Sequence, residues 1–185
     1  MRTTLLAAAL ALAAALPAHA GTPLATDGTW ADFTVDANLP PYAFNWVDVN
    51  GAPLSFSVTI AAGQVGTLTV VDAGFSGDRF DVYDGTALLG RTGAAVNGDA
   101  TGTITFDYDA ALANTDFSRG SFTLGAGNHV ITGFLAVSAS DSYGLLNATM
   151  GGVKLTVSPV PEPASSALLL IGLGLVLGTL RRRAA

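Results

Sequence analysis

The chain has 185 residues, 14 acidic against 8 basic side chains, a net charge of −6 and a mean hydropathy of +0.48. It has no cysteine, which excludes disulfides, thiolate zinc sites and cysteine nucleophiles. Its apolar residues gather at the two ends, and residues 21–159 between them set 13 Asp and no Glu against Arg79, Arg91, Arg119 and Lys154, a net charge of −9 that repels nucleic acid.

From the N-terminus, Arg2 precedes an Ala/Leu run from Leu5 to Leu16, a breaker at Pro17 and then Ala18-His19-Ala20. A positive start, an apolar centre and a small-x-small site make a secretory signal peptide over residues 1–20, cut by signal peptidase before Gly21. The secretion machinery is therefore an expected partner. The 139 residues from Gly21 to Pro159 suit one domain able to bury a core. With no cysteine to staple it, the domain must rely on that core. Any metal it uses should be a hard, oxygen-liganded cation such as calcium.

Period-two alternation, β-formers and Gly/Asn/Asp punctuation predict strands near Trp30–Val35, Leu54–Ile60, Gly66–Val71, Arg79–Tyr83, Ala87–Arg91, Gly102–Tyr108, Ser121–Leu124, His129–Val137 and Val153–Val157. No helix is expected outside the two ends. The fold class is all-β: a single β-sandwich or jelly-roll-like domain, flanked by the signal peptide and a C-terminal transmembrane sorting helix. Leu54, Phe56, Val58 and Ile60 alternate with Ser55, Ser57 and Thr59, one face core and one wet.

Asn38 to Trp46 is an aromatic stretch opened by a proline turn. Tyr42 and Trp46 are either core residues or, if exposed, a platform on which sugar rings stack. Gly77-Asp-Arg-Phe-Asp-Val-Tyr-Asp-Gly85 is the most acidic internal stretch. On a strand from Arg79 to Tyr83, Phe80 and Val82 point inward and Arg79, Asp81 and Tyr83 outward. Asp78 and Asp84 then lie about 20 Å apart at ~3.3 Å per residue and cannot share one metal. In one reading Asp78 starts the strand, Asp84-Gly85 makes the turn and Asp81 lies beside Arg79 on the wet face. In the other, one of these acids meets Asp72, Asp116, or the neighbouring Asp107 and Asp109 from other loops.

A strand ending in Asp84-Gly85 and followed by Leu89-Gly90-Arg91 resembles part of a CUB domain, an extracellular β-sandwich. Calcium-binding members use an Asp just before that strand and another in a later Ser/Thr-Asp-x-Ser loop. Asp78, and Asp116 in Thr115-Asp116-Phe117-Ser118, stand at the matching places, and the resemblance implies a calcium role for them.

Gly120 to Phe134 reads as a hairpin turning at Gly125 to Asn128, with His129 entering the next strand. No Gly-x-Ser-x-Gly elbow, phosphate loop, nucleotide fingerprint or His-rich metal motif is present. Residues 21–159 also lack the Glu that most glycosidases use. The chain is not expected to be an enzyme, and no catalytic residue is assigned.

Ala164 to Leu180 is uncharged, 17 residues or about 25 Å of helix at ~1.5 Å per residue, the short limit for crossing a bilayer. Arg181-Arg182-Arg183 after it would hold that end in the cytoplasm while the domain lies outside. Pro161-Glu162-Pro163 before it is extended and open to a processing enzyme. Motif, apolar helix and arginines in this order resemble the PEP-CTERM sorting signal of Gram-negative bacteria. The resemblance implies exosortase as processing partner, a transient inner-membrane precursor and delivery to the cell surface or extracellular matrix. It further implies association with exopolysaccharide and biofilm. On this reading Glu162 belongs to a processing signal and is not catalytic. Against the sorted, non-enzymatic surface protein stands a carbohydrate-binding or calcium-dependent adhesion module.

Overall fold

The computed structural model describes residues 21–38, 40–41, 43–94 and 102–160. The expected signal peptide, Tyr42, Pro161-Glu162-Pro163, the apolar run and Arg181 to Arg183 lie outside the described residues. Among those described, no helix is long and apolar enough to cross a membrane.

The chain forms β1 (Thr22–Pro23), β2 (Ala31–Asp36), β3 (Phe56–Ile60), β4 (Gln64–Phe75), β5 (Arg79–Asp84), β6 (Ala87–Arg91), β7 (Ile104–Thr105), the helix α1 (Tyr108–Ala113), β8 (Arg119–Leu124), β9 (Gly127–Val137), β10 (Ser140–Asp141), β11 (Gly144–Leu145) and β12 (Ala148–Pro159). One sheet runs β1-β3-β9-β5-β6 and the other β2-β12-β4, with β7 and β8 sharing the outer edge of β4. β10 and β11 form a separate small hairpin. The two large sheets are open, and the protein is all-β apart from α1.

The inward positions of both sheets meet in one core. Phe56, Ile60, Phe80, Val82, Ile131 and Leu135 come from the first sheet, and Phe33, Val35, Leu68, Val70, Leu124, Val153 and Leu155 from the second. Strand alternation makes this possible, because residues two apart share a face. β4 keeps alternation at Val70-Val71 but buries both faces there: Val70 enters the main core, while Val71 points outward against Ala111 and Phe117. That second small core attaches α1 to the outer face of the sheet.

The helix corrects the expectation of a strand from Gly102 to Tyr108, of which only Ile104–Thr105 is extended. Asp107 is the reason. Its carboxylate accepts hydrogen bonds from the Asp109 and Ala110 N–H groups and caps the helix, so Asp107 and Asp109 do not share a strand face. Trp30 Nε1–H and Lys154 Nζ then both donate to Asp109 Oδ1, at 2.9 and 3.2 Å, and Lys154 lies 4.2 Å above the Trp30 ring.

The expected hairpin over Gly120 to Phe134 is also corrected. β8 pairs with β4 and β9 with β3, so Gly125-Ala126 carries the chain from one sheet to the other. Sequence spacing alone does not distinguish a turn within a sheet from a crossing between two. Of the other predicted strands, Ala87–Arg91 appears with its expected bounds and the rest with altered ends. β12 is the longest extension: the five residues expected at Val153–Val157 become Ala148–Pro159, which pair with β2 on one side and β4 on the other.

Candidate functional site

The expected aromatic platform is half overturned. Trp46 is 1% exposed and its ring stacks on Phe33 at 3.9 Å between centroids, so it is core and not a sugar contact. Gly133 opposite makes room for it: a Cβ there would lie 2.1 Å from the indole. Trp46 Nε1–H is buried without a hydrogen-bond partner, a local cost of about 1–3 kcal/mol that the ring's burial must exceed.

Exposed aromatics occur nearby. Phe44 and Phe134 have ring centroids 5.8 Å apart at 55°, and Phe134 is 37% exposed. With Leu135, Ala136, Ser138, Leu145 and Asn147 they line an open groove of about 260 Å³. Tyr143, 96% exposed, stands in the hairpin that supplies Leu145. Sequence reasoning passed over Phe134, although parity places it: Ile131, Gly133 and Leu135 point inward, and Phe134 must point out.

The acidic stretch divides between surface and interior. Asp81 pairs with Arg91, at 2.6 and 2.8 Å in a two-point contact that, with the nearby Arg79 charge, holds its carboxyl below the usual range. The antiparallel register of β5 and β6 sets Arg91 directly opposite Asp81. Arg79 Nε–H instead donates to the Thr92 carbonyl. Asp84 Oδ1 accepts the Val130 N–H, and Asp84 Oδ2 faces His129 Nδ1 at 2.7 Å. His129 Nε2 faces the Gly125 carbonyl at 2.9 Å. Both ring nitrogens thus point at acceptors, an arrangement only the imidazolium satisfies. Burial opposes that charge, but the Asp84 carboxylate and Gly125 carbonyl outweigh it and raise the His129 pKa.

Asp78 begins β5 inside the protein, not at the surface, and its partner is Asp72. Asp72 is fully buried, and its Oδ2 accepts the N–H groups of Gly77 and Asp78, closing the β4–β5 turn. Asp72 Oδ1 has no hydrogen-bond partner. Asp78 Oδ1 accepts the Ala139 N–H at 2.8 Å, tying in the segment after β9. Burial first, then the neighbouring Asp78 charge, push the Asp72 carboxyl up to about 9; burial also raises Asp78. The sequence signal for Asp72 is its place in the apolar run Val70-Val71-Asp72-Ala73.

These acids do not fit the calcium site that the CUB-like resemblance implies. Calcium takes six to eight oxygens, whereas this pair offers four carboxylate oxygens, of which Asp72 Oδ2 and Asp78 Oδ1 already accept N–H groups. Asp116 Oδ2 accepts from Thr103 Oγ1 at 2.6 Å. Among the described residues no group of three or more acidic, histidine or cysteine side chains is arranged to hold a metal. Burial and the neighbouring Asp78 charge favour the protonated form of Asp72.

The last described feature is where β12 stops. Pro159 is in register with Gln64, and the Val160 N–H donates to the Gly63 carbonyl at 2.8 Å. The central strand of the second sheet therefore runs straight into Pro161-Glu162-Pro163 with no spacer.

No curated protein matches the chain. Among solved structures it is similar to the pre-peptidase C-terminal domain of a collagenase from Bacillus anthracis, at 6% identity over 74% of this chain and 94% of that one, with a TM-score of 0.40. Residues 159–184 match the family model of the PEP-CTERM protein-sorting motif, taking in Pro161, Glu162, Pro163 and Arg181 to Arg183. By that match the chain carries a PEP-CTERM protein-sorting motif, which supports export and targeting to exosortase.

Proposed function

We propose that the protein is a non-enzymatic surface or matrix component, delivered by exosortase processing, whose sandwich works in the extracellular polysaccharide layer. The sorting motif at residues 159–184 carries this reading. The domain's side chains support it, since His129, the histidine that remains after removal of residues 1–20, has Nε2 against a backbone carbonyl rather than a hydroxyl nucleophile. Intact mass of the protein from cells and medium, with and without exosortase, is the test. The expected mature form begins at Gly21, ends near Pro161–Pro163 and appears only with exosortase. Changing Pro161, Glu162 and Pro163 to alanine should abolish it. An unchanged mature mass would remove the motif from the processing signal.

A second reading, a carbohydrate-binding module, is favoured by the Phe44–Phe134 groove. Aromatic faces bury the C–H faces of sugars, and the domain's net charge of −9 favours neutral glycans over anionic ones. Saturable polysaccharide binding lost in Phe134→Ala would support it. Retention in the matrix without any such binding would leave the first reading standing.

A further inference from the structure

The tail leaves the sandwich at one end of the molecule, and that end differs from the rest of the surface. Gly63, whose carbonyl accepts the Val160 N–H, belongs to the exposed turn Ala61-Ala62-Gly63 between β3 and β4. The crossing Gly125-Ala126 lies at the same end, because Gly127 stands opposite Ile60 and Leu124 opposite Gly66. Ala61, Ala62, Gly63, Gly125, Ala126, Gly127 and Asn128 are all exposed and uncharged. In a domain with a net charge of −9, this end presents small neutral residues. The nearest ionisable groups on β5 and β9, Asp84 and His129, pair with each other, and the exposed Asp27 stands opposite Thr156, set back along β12 from Pro159.

The length of chain beyond the sandwich limits what can cover this end. From Val160 to Ala164 is four residues, at most about 14 Å fully extended. Pro161-Glu162-Pro163 lies within that span, and residues just before the motif are held in β12 against Gln64 and Gly63. An enzyme that grips the motif while the sandwich is folded must come within a few ångströms of the two turns. Bulky or charged side chains there would obstruct it; the two turns themselves carry none, and the His129 ring beneath the Gly125 carbonyl is paired with Asp84.

Resting on the sorting reading above, we infer that the end formed by Ala61–Gly63 and Gly125–Gly127 is the surface on which the membrane-embedded processing enzyme docks. The precursor then stands with its charge-poor end toward the membrane and its acidic surface away from it. Small neutral turns permit close approach, and the junction without a spacer makes that approach obligatory.

Ala62 and Ala126 are exposed and neither has a positive φ, so both accept larger side chains without backbone strain. The experiment follows conversion of full-length precursor to mature form by pulse-chase in the exosortase-containing host. It compares wild type, Ala62→Glu with Ala126→Glu, and Ala62→Lys with Ala126→Lys, each also with an eight-residue Gly-Ser insert after Val160. Thermal unfolding of the exported domains controls for folding. Both charged pairs should process at least fivefold more slowly, and the insert should restore them to the wild-type rate. Unchanged rates in both pairs would overturn the inference while leaving the sorting reading intact. Slower processing with Glu but faster with Lys would also overturn it, assigning this end to an anionic lipid surface instead of the enzyme. Failure of the wild type to process would instead overturn the sorting reading itself.

Discussion

Asp72→Asn should stabilise the protein, against the usual outcome of altering a fully buried, hydrogen-bonded residue. The Asp72 carboxyl titrates near 3.8 in the unfolded chain and near 9 in the folded one, so folding at pH 7 takes up a proton. Proton uptake across about three pH units, at about 1.4 kcal/mol each, imposes a linked cost of at most about 4 kcal/mol. Asparagine keeps an acceptor oxygen for the Gly77 and Asp78 N–H groups and replaces the orphaned Oδ1 with a donor near the Asp78 carboxyl. It has no charge to neutralise. Because the folded pKa is raised, the wild-type contribution is fully present below about pH 3.8 and is lost as pH rises toward 9. The advantage of the variant should therefore be small at pH 5, a few kcal/mol at pH 7 and larger still at pH 8.5. Urea unfolding at these three values, with EDTA and again with millimolar calcium, measures it. A variant no more stable than wild type at pH 7, or a gain that does not grow with pH, would refute the protonated-acid account. Saturable stabilisation of the wild type by calcium would refute it from the other side, by showing that a cation neutralises the pair.

His129 runs in the opposite direction to an ordinary surface histidine. Its raised pKa makes the charged form a stabilising one, present in full below the unfolded value near 6.5 and lost as pH rises through the folded value. NMR titration should find it titrating above 6.5, and Asp84→Asn should lower that value; an unmoved titration would dismiss the pairing. Gly133→Ala should drive a methyl into the Trp46 indole, 2.1 Å from the added Cβ, and destabilise by about 1–3 kcal/mol or more in chemical denaturation with loss of the tryptophan's native near-UV signal. Asp107→Ala removes the cap of α1 and should lower stability by about 1 kcal/mol. Faster amide exchange within Tyr108–Ala113 should accompany that loss and locate it in the helix.

The sorting motif was legible without a structure because it is linear. Recognition there depends on Pro161-Glu162-Pro163, an apolar run and Arg181 to Arg183 following one another along the chain, and no distant contact is needed to read them. The all-β class was legible for a related reason, since period-two patterns such as Leu54 to Ile60 report which side of a strand is buried. Which sheet a strand joins is a different kind of question. Leu124 and Gly127 are three residues apart, yet they pair with Gly66 of β4 and Ile60 of β3 in separate sheets. Short stretches are equally ambiguous: Tyr108 to Ala113 took the helical form because the Asp107 carboxylate capped it and Val71 and Phe117 gave Ala111 an apolar seat.

The site residues show the same division. An aspartate on the surface and one in the interior have the same formula, and only tertiary packing sent Asp81 to Arg91 and buried Asp72 beside Asp78 without a counter-charge. Packing likewise turned Trp46 inward, into the space left by Gly133, and left Phe134 outside. The sequence by itself determined the address, the acidic charge and the strand-forming pattern, because each is a property of neighbouring residues. The tertiary structure decided the pairing of strands, the protonation of Asp72 and the distance from sandwich to sorting motif, because each depends on which parts of the chain meet and on how much water is left between them.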